Sequence, residues 1–343
     1  MSLKPAKLAV NLVTHNAEKY LPFCLNSLSE QSRQDFSLLI IDNGSNDETV
    51  RYLKENYPQI KLVVHPQNIG FARAHNQGIA WSNSQYLMLL NQDVILDKNY
   101  FAKAIDYLDS HPDVAALTGK ILVWDFENNQ RTSTIDSLGL KVYKNHQVAD
   151  AHQGEKDAGQ FAEVKEIFGP SGAMPIYRRS LLEKVKIDFQ AAMRHQEYFD
   201  EDFFSYKEDV DLAFRMRLAD LKSVYFPGCA AYHDRSVKGP INYSSRAIKK
   251  SRQDRDRAVK MYSYKNHLLL LLKNEFFVNL LRYFFPIFWY EFKKIAFILL
   301  FEPSTFRGLS LFFKQKSKIL KKRRYIKKNI CKIKAKQLAI WYQ

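Results

Sequence analysis

Residues 86–93 read Tyr86-Leu87-Met88-Leu89-Leu90-Asn91-Gln92-Asp93, an apolar run that ends abruptly in polar side chains and one carboxylate. A short run this apolar, bounded by polar residues, predicts a strand buried on both faces. A carboxylate at the tip of such a strand is placed to hold a divalent cation against phosphate oxygens. About a hundred residues on, Glu208-Asp209-Val210-Asp211 opens a helix-like stretch that runs to Ala219. A carboxylate at a helix mouth is placed to take a proton. The two signals together point to metal-assisted group transfer from a nucleotide-activated donor.

Outward from residues 86–93, strand-like and helix-like patterns alternate. Apolar runs at Lys7–Thr14, Phe36–Asp42, Leu62–Val64, Tyr86–Leu90 and Val114–Val123 are separated by helical patterns at Leu21–Ser29, Phe71–Ser82 and Asn99–Ser110. Ser45 and Glu48 have the spacing of a capping box for another helix running to Tyr57. The alternation predicts an α/β fold with a Rossmann-like, mostly parallel central sheet and helices on both faces. Ligands bind such sheets at the carboxyl ends of the strands, where Asp42 and Asn91–Asp93 fall. Residues 124–165 are polar with little periodicity, and predict hairpins and loops beside the site. Lys222–Phe226 predicts a short strand leading to His233.

The net charge of +16 over 343 residues is unevenly distributed. Residues 241–343 hold 25 Lys and Arg against five Asp and Glu, and residues 1–240 hold 27 against 31. The basic third includes Leu268–Leu272 and the aromatic stretch Phe284–Phe301, both too short or too interrupted by charge to span a bilayer. Apolar faces flanked by Lys and Arg, with Tyr283, Trp289 and Tyr290 among them, predict helices lying in a membrane interface; a buried hairpin or a dimer face is the alternative. Three cysteines without metal-ligand spacing fit a reducing cytosol and no structural zinc. The stretch Leu8–Val13 is too short and polar for a signal peptide.

Six short motifs follow one another in order. They are Thr14-His15-Asn16; Ile41-Asp42-Asn43-Gly44-Ser45-Asn46-Asp47; Asn68-Ile69-Gly70-Phe71-Ala72; Asn91-Gln92-Asp93; Phe199–Phe204 with Glu208–Leu212; and His233. In this order the chain resembles the inverting family 2 glycosyltransferases of the GT-A fold, notably their rhamnosyltransferase-like branch, over residues 7–240. The resemblance implies a catalytic domain at 1–240, with a nucleotide-binding half to about 125 and an acceptor half over about 126–240. Residues 241–343 would form a helical, basic, membrane-associating region. Thr14, His15, Asn16, Asp42, Asn43 and Asn91 would meet the nucleotide. Asp93 and His233 would bind Mg²⁺ or Mn²⁺, and Asp209 would be the catalytic base, with Glu208 as the second candidate.

Ser171 and Gly172 are candidates for the acceptor pocket, or for plain turn chemistry. The implied donor is a dTDP- or UDP-linked sugar, L-rhamnose among the candidates. The implied acceptor is a lipid-linked saccharide at the cytoplasmic face of an anionic membrane, with no nucleic acid expected. Rival readings are a nucleotidyltransferase, counted against by the absence of glycine from Thr14–Tyr20, an inactive sugar-nucleotide binder, and a nucleic-acid binder acting through the basic end.

Overall fold

The computed structural model describes residues 6–188, 197–234 and 256–343. Its strands are β1 (Leu8–Thr14), β2 (Phe36–Asp42), β3 (Lys61–Val64), β4 (Tyr86–Asn91), β5 (Val94–Leu96), β6 (Val114–Asp125), β7 (Gln130–Ser137), β8 (Leu140–Val142), β9 (Val148–Asp150), β10 (Lys165–Ile167), β11 (Ile176–Arg178) and β12 (Lys222–His233). The α-helices are α1 (Leu21–Ser29), α2 (Thr49–Asn56), α3 (Phe71–Ala80), α4 (Tyr100–Ser110), α5 (Arg179–Leu182), α6 (Glu208–Leu218), α7 (Arg257–Asn274), α8 (Phe277–Arg282), α9 (Phe284–Phe301), α10 (Arg307–Asn329) and α11 (Ala335–Ala339).

The central sheet runs β10-β12-β6-β11-β4-β1-β2-β3, with β5 on β12 and β7 on β6. β4, β1, β2 and β3 are mutually parallel, and their registers align the strand ends: Thr14 lies opposite Asp42, Val13 opposite Asn91 and Asp42 opposite Val64. Alternation along β4 divides its side chains between two cores. Tyr86, Met88 and Leu90 pack with Leu21, Cys24 and Leu25 of α1 and Phe101, Ala104 and Ile105 of α4. Leu87 and Leu89 pack on the other face with Ala72 and Ile79 of α3 and with α6. Both faces of the strand are thus covered, as its unbroken apolar run predicts.

Two local expectations are corrected. The capping box at Ser45 and Glu48 does not form, because the Ser45 hydroxyl is engaged by Asp42 and by the Asn16 N–H. Asp47 Oδ1 instead accepts from the Thr49 N–H at 3.1 Å, and α2 starts there. The strand predicted to stop at Phe226 continues to His233, because a register shift between Tyr225 and Ala230 absorbs Pro227 and Gly228 as a bulge. That continuation carries His233 to the rim of the sheet, opposite Val94 of β5.

The basic C-terminal helices pack on the acceptor half; the expected boundary near residue 240 lies outside the described residues. Leu269 and Leu270 of α7 and Ile319 and Ile326 of α10 join the core that contains α6. Lys322 of α10 is fully buried, with its ammonium 2.6 Å from Glu197 and 2.7 Å from Asp202, and paired with Asp200. Lys273 of α7, also fully buried, lies 2.6 Å from Asp211 and pairs with Asp200. Asp211 further binds Arg215 at 3.0 Å, the ion pair expected from their four-residue spacing, and accepts from the Asn274 amide at 2.7 Å. Part of the positive charge is therefore interior and compensated. α9 is different: Phe285 is 80% exposed and Leu300 74%.

Removing one partner from a buried charge cluster leaves the others uncompensated, at about 3–5 kcal/mol. Lys322→Met is expected to lower unfolding stability in urea by about that much. A loss below about 1 kcal/mol would show that the cluster does not hold α10 to the domain.

Candidate active site

The site assembles where β1, β2 and β4 end together. Thr14 and Asp42 are fully buried and face each other across the β1–β2 register. The Thr14 hydroxyl donates to Asp42 Oδ1 at 3.1 Å, and the Ser45 N–H donates to Asp42 Oδ2 at 3.0 Å. With the Ser45 hydroxyl also donating, both Asp42 oxygens are occupied by the chain itself. Asp42 thus shapes the turn, and the groups it leaves exposed on the rim are His15 and Asn16. Asn16 has φ = 50°, held by its N–H to Ser45 Oγ at 2.9 Å and by the Asn46 N–H donating to its side chain at 2.9 Å. His15 Nδ1 lies 3.1 Å from the Asn43 carbonyl. Asn43 and Asn68 carry the lattice to the next loop, binding each other at 3.1 Å and the Ile69 and Gly70 N–H groups at 2.8 Å each.

Gln92 was the silent member of Asn91-Gln92-Asp93, yet it makes the decisive junction. Its amide accepts from the His15 N–H at 2.7 Å and donates to the His15 carbonyl at 3.1 Å. The loop after β1 is thereby clamped to the loop after β4. Both halves of the bond use backbone groups, so the sequence around His15 carries no trace of it.

Beyond Gln92, Asp93 is buried and meets His233 at 3.2 Å between Oδ1 and Nε2. His233 Nδ1 lies 2.8 Å from Asp136, which itself takes the Gln153 amide at 3.4 Å. Burial alone would lower the basicity of His233, but Asp93 and Asp136 outweigh it and raise its pKa to about 10. A proton-bridged imidazole between two carboxylates also fits a divalent cation. The Asp93 oxygen and the His233 nitrogen, 3.2 Å apart, are near enough for one ion to take both as ligands. Asp136 fixes the ring so that Nε2 faces Asp93, the usual support for a metal-binding histidine. Among the described residues no cluster of three or more such ligands forms, so substrate oxygens or water would complete the coordination.

Asp209 stands in the first turn of α6. Its Oδ2 accepts from the Gly172 N–H at 2.9 Å and its Oδ1 from the Val210 N–H at 2.7 Å. A Cβ at Gly172 would lie 3.3 Å from that of Asp209, so the Ser171–Gly172 loop packs directly on this carboxylate. The next residue, Ala173, accepts the Asn91 N–H at 2.9 Å. A continuous path, Asp209–Gly172–Ala173–Asn91, therefore ties the helix-mouth carboxylate to the strand end that bears Asp93. Burial raises the Asp209 pKa, and Asp150 adds to it against the pull of Val210, Gly172 and Lys207. Glu208 is buried, its Oε2 has no hydrogen-bond partner among the described residues, and burial followed by repulsion from Asp209 and Asp211 pushes it up to about 8. Ser171 Oγ is likewise buried without a partner among the described residues.

The family model described as "Glycosyl transferase family 2" matches residues 10–186. The chain belongs to this glycosyltransferase family. An uncharacterized glycosyltransferase of Haemophilus influenzae is 25% identical over 113 residues, 32% of this chain and 35% of that relative, so the chain spans only about a third of its length. An N-acetylglucosaminyl-diphospho-decaprenol L-rhamnosyltransferase of Mycobacterium tuberculosis is 26% identical over 249 residues, 67% of this chain and 76% of that relative. The crystal structure of GalNAc-T7 with UDP, GalNAc and Mn²⁺ superposes with a TM-score of 0.53 at 14% identity, over 78% of this chain and 51% of that one. That likeness establishes the chain's fold as GT-A.

A carboxylate base acts only when ionised, and both candidates have raised pKa values. Activity is expected to fall, as pH drops, through a value above the ordinary carboxylate range near 4. A kcat profile flat down to about pH 4 would exclude both.

Proposed function

We propose that the protein is an inverting hexosyltransferase that moves a sugar, with L-rhamnose as the specific candidate, from a dTDP- or UDP-linked donor to a hydroxyl of a lipid-linked saccharide. The observation that carries this reading is the hydrogen-bonded path from Asp209 to Asn91, with Asp93 and His233 at the same rim. Relatives support the chemistry: the mycobacterial protein is named for rhamnosyl transfer to a diphospho-decaprenol saccharide, and the GalNAc-T7 crystal holds UDP and Mn²⁺.

In this reading His15, Asn16, Asn43 and Asn91 line the nucleotide's place on the rim. Asp93 and His233 would hold Mg²⁺ or Mn²⁺, which would supply charge neutralisation to the departing diphosphate. Asp209, steadied by the Gly172 and Val210 N–H groups, takes the proton of the acceptor hydroxyl as its oxygen bonds to the anomeric carbon. The bond from that carbon to the diphosphate breaks on the opposite side, and configuration inverts. Gly172 keeps this loop close enough for its N–H to reach Asp209. A second reading, with Glu208 as the base, is favoured by its Oε2, which has no partner among the described residues.

Membrane association completes the reading. No helix among the described residues is long and apolar enough to cross a membrane. α9 nonetheless exposes Phe285, Phe288, Trp289, Phe292, Leu299 and Leu300, with Lys293 over the Trp289 ring at 5.0 Å. Aromatic rings beside lysines suit an interfacial helix on the inner, anionic face of a cell membrane. Burial of Lys265, Lys273 and Lys322 disfavours the nucleic-acid alternative, because those charges are spent inside the protein.

Three outcomes are expected. Asp209→Asn should cut kcat by about 10²–10⁴ with donor affinity retained, while Glu208→Gln should cost less; the reverse order would transfer the role of base to Glu208. Asp93→Ala should abolish the Mn²⁺-dependent rise in melting temperature on adding UDP or dTDP, and Asp136→Asn should weaken Mn²⁺ binding about 10–100-fold; an unchanged Mn²⁺ response would move the metal elsewhere. Phe285→Ser with Leu300→Ser should reduce sedimentation with phosphatidylglycerol vesicles without changing the melting temperature, and undiminished sedimentation would remove α9 from the interface.

A further inference from the structure

A cavity of about 160 Å³ lies between the residue that precedes the helix-mouth carboxylates and the C-terminal helices. It is lined by Lys207, by Lys260, Ser263 and Tyr264 of α7, and by Tyr290 and Lys294 of α9. Among the described residues no Asp or Glu lines it. Lys260 is balanced from behind by Glu302 at 3.6 Å, and Lys294 by Glu291 at 3.5 Å. The neighbouring His267, bonded to Glu291 at 2.7 Å, is held near a pKa of 3 mainly by burial and is neutral. Among the described residues the Lys207 ammonium makes no direct hydrogen bond or ion pair, while Asp209 and Glu291 attract it from beyond contact distance. The cavity therefore gathers three ammonium groups on a wall that, among the described residues, carries no carboxylate, and an anion would complement them.

The backbone is built to hold Lys207 there. Phe204, Tyr206 and Lys207 all have left-handed φ values, between 65° and 71°. Such conformations persist where the surroundings over-determine them. One side chain does so: the Asn266 amide of α7 donates to the carbonyls of Phe203, Ser205 and Tyr206 at 2.9, 2.8 and 2.7 Å. A C-terminal helix thus sets the loop that aims Lys207, two residues before Asp209.

We propose that this cavity is a subsite for a phosphate group of the acceptor, which Lys207, Lys260 and Lys294 bind while the Ser263 and Tyr264 hydroxyls donate hydrogen bonds. The inference rests on the proposed transfer to a lipid-linked saccharide and names how that acceptor is held. The volume matches a group of a few heavy atoms, near the roughly 150 Å³ that admits benzene, and is too small for a saccharide chain. Tyr290, Lys294 and Ile298 line the cavity from one i, i+4, i+8 row of α9, while Trp289, Phe292, Leu299 and Leu300 of the same helix are exposed. A phosphate bound here has the apolar helix on one side for its lipid and the Asp209 side of the domain for its saccharide.

The test compares farnesyl diphosphate with farnesol by calorimetry in EDTA, using the wild type and Lys207→Met/Lys260→Gln/Lys294→Gln. The wild type is expected to prefer the diphosphate by at least about tenfold and the triple variant to lose that preference, while UDP with Mn²⁺ and phosphatidylglycerol vesicles bind both alike. If the triple variant melts early, Lys294→Gln alone, at the part-exposed edge, should lose at least about threefold. An unchanged preference for the diphosphate would overturn the subsite, as would a loss confined to vesicle binding, which would make the cavity a headgroup site. A lost preference in the variant, with no sugar transferred by the wild type from any nucleotide sugar, would overturn the transfer reading and leave the phosphate site standing.

Discussion

The structure depends on a set of charges that have no water to answer them. Asp211 sits two residues beyond Asp209, on the inward face of α6, and is held by Lys273, Arg215 and Asn274. Asp200 lies between Lys273 and Lys322. Each carboxylate is tolerable in the interior only because its cations are present, and these lysines come from the C-terminal helices. Lysines and an asparagine from residues 256–343 therefore hold the helix that bears Asp209 in place. Residues 256–343 are thus part of the packing that supports the candidate site.

The same helices have two faces with different chemistry. The inner face of α7 supplies Lys273, Asn266 and Lys265, which bind carboxylates and carbonyls of the Asp200–Tyr206 loop. α9, one short helix later, turns its aromatic side outward. His267 of α7 and Glu291 of α9 join the two at 2.7 Å. The helix that exposes its aromatic side is thus connected by a few hydrogen bonds to the loop before the candidate base. This explains physically why the loop from Phe204 to Lys207 can keep three left-handed residues in succession or nearly so: its strain is offset by bonds from α7.

Much of the fold was legible from periodicity. The run from Tyr86 to Leu90 could only be a strand covered on both faces, and its polar end had to emerge at a strand terminus. Where reading failed, a local rule was overridden by a partner distant in sequence. Ser45 looked like a cap and became a ligand of Asp42. Pro227 and Gly228 looked like an ending and became a bulge, because β6 and β5 continue to pair beyond them. Lysines that composition assigned to a surface were buried, since composition counts charges and is blind to their partners.

The candidate site divides along the same line. Asp93, Asp209 and His233 were visible in the sequence, because a carboxylate at a strand end or helix mouth, and a histidine after a strand, have positions that follow from local structure. Gln92, Asp136 and the Gly172–Ala173 link were not, because each acts through a contact whose other half lies far away in the chain: Gln92 on the backbone of His15, Asp136 on the ring of His233, Ala173 on the N–H of Asn91. The sequence by itself determined the parallel α/β sheet and the kinds of chemical group at its rim, since strand period and burial act over a few residues. Only the tertiary structure decided which of those groups meet, and which charges are interior, because hydrogen bonds and ion pairs are set by distance in space, which the order of residues does not encode.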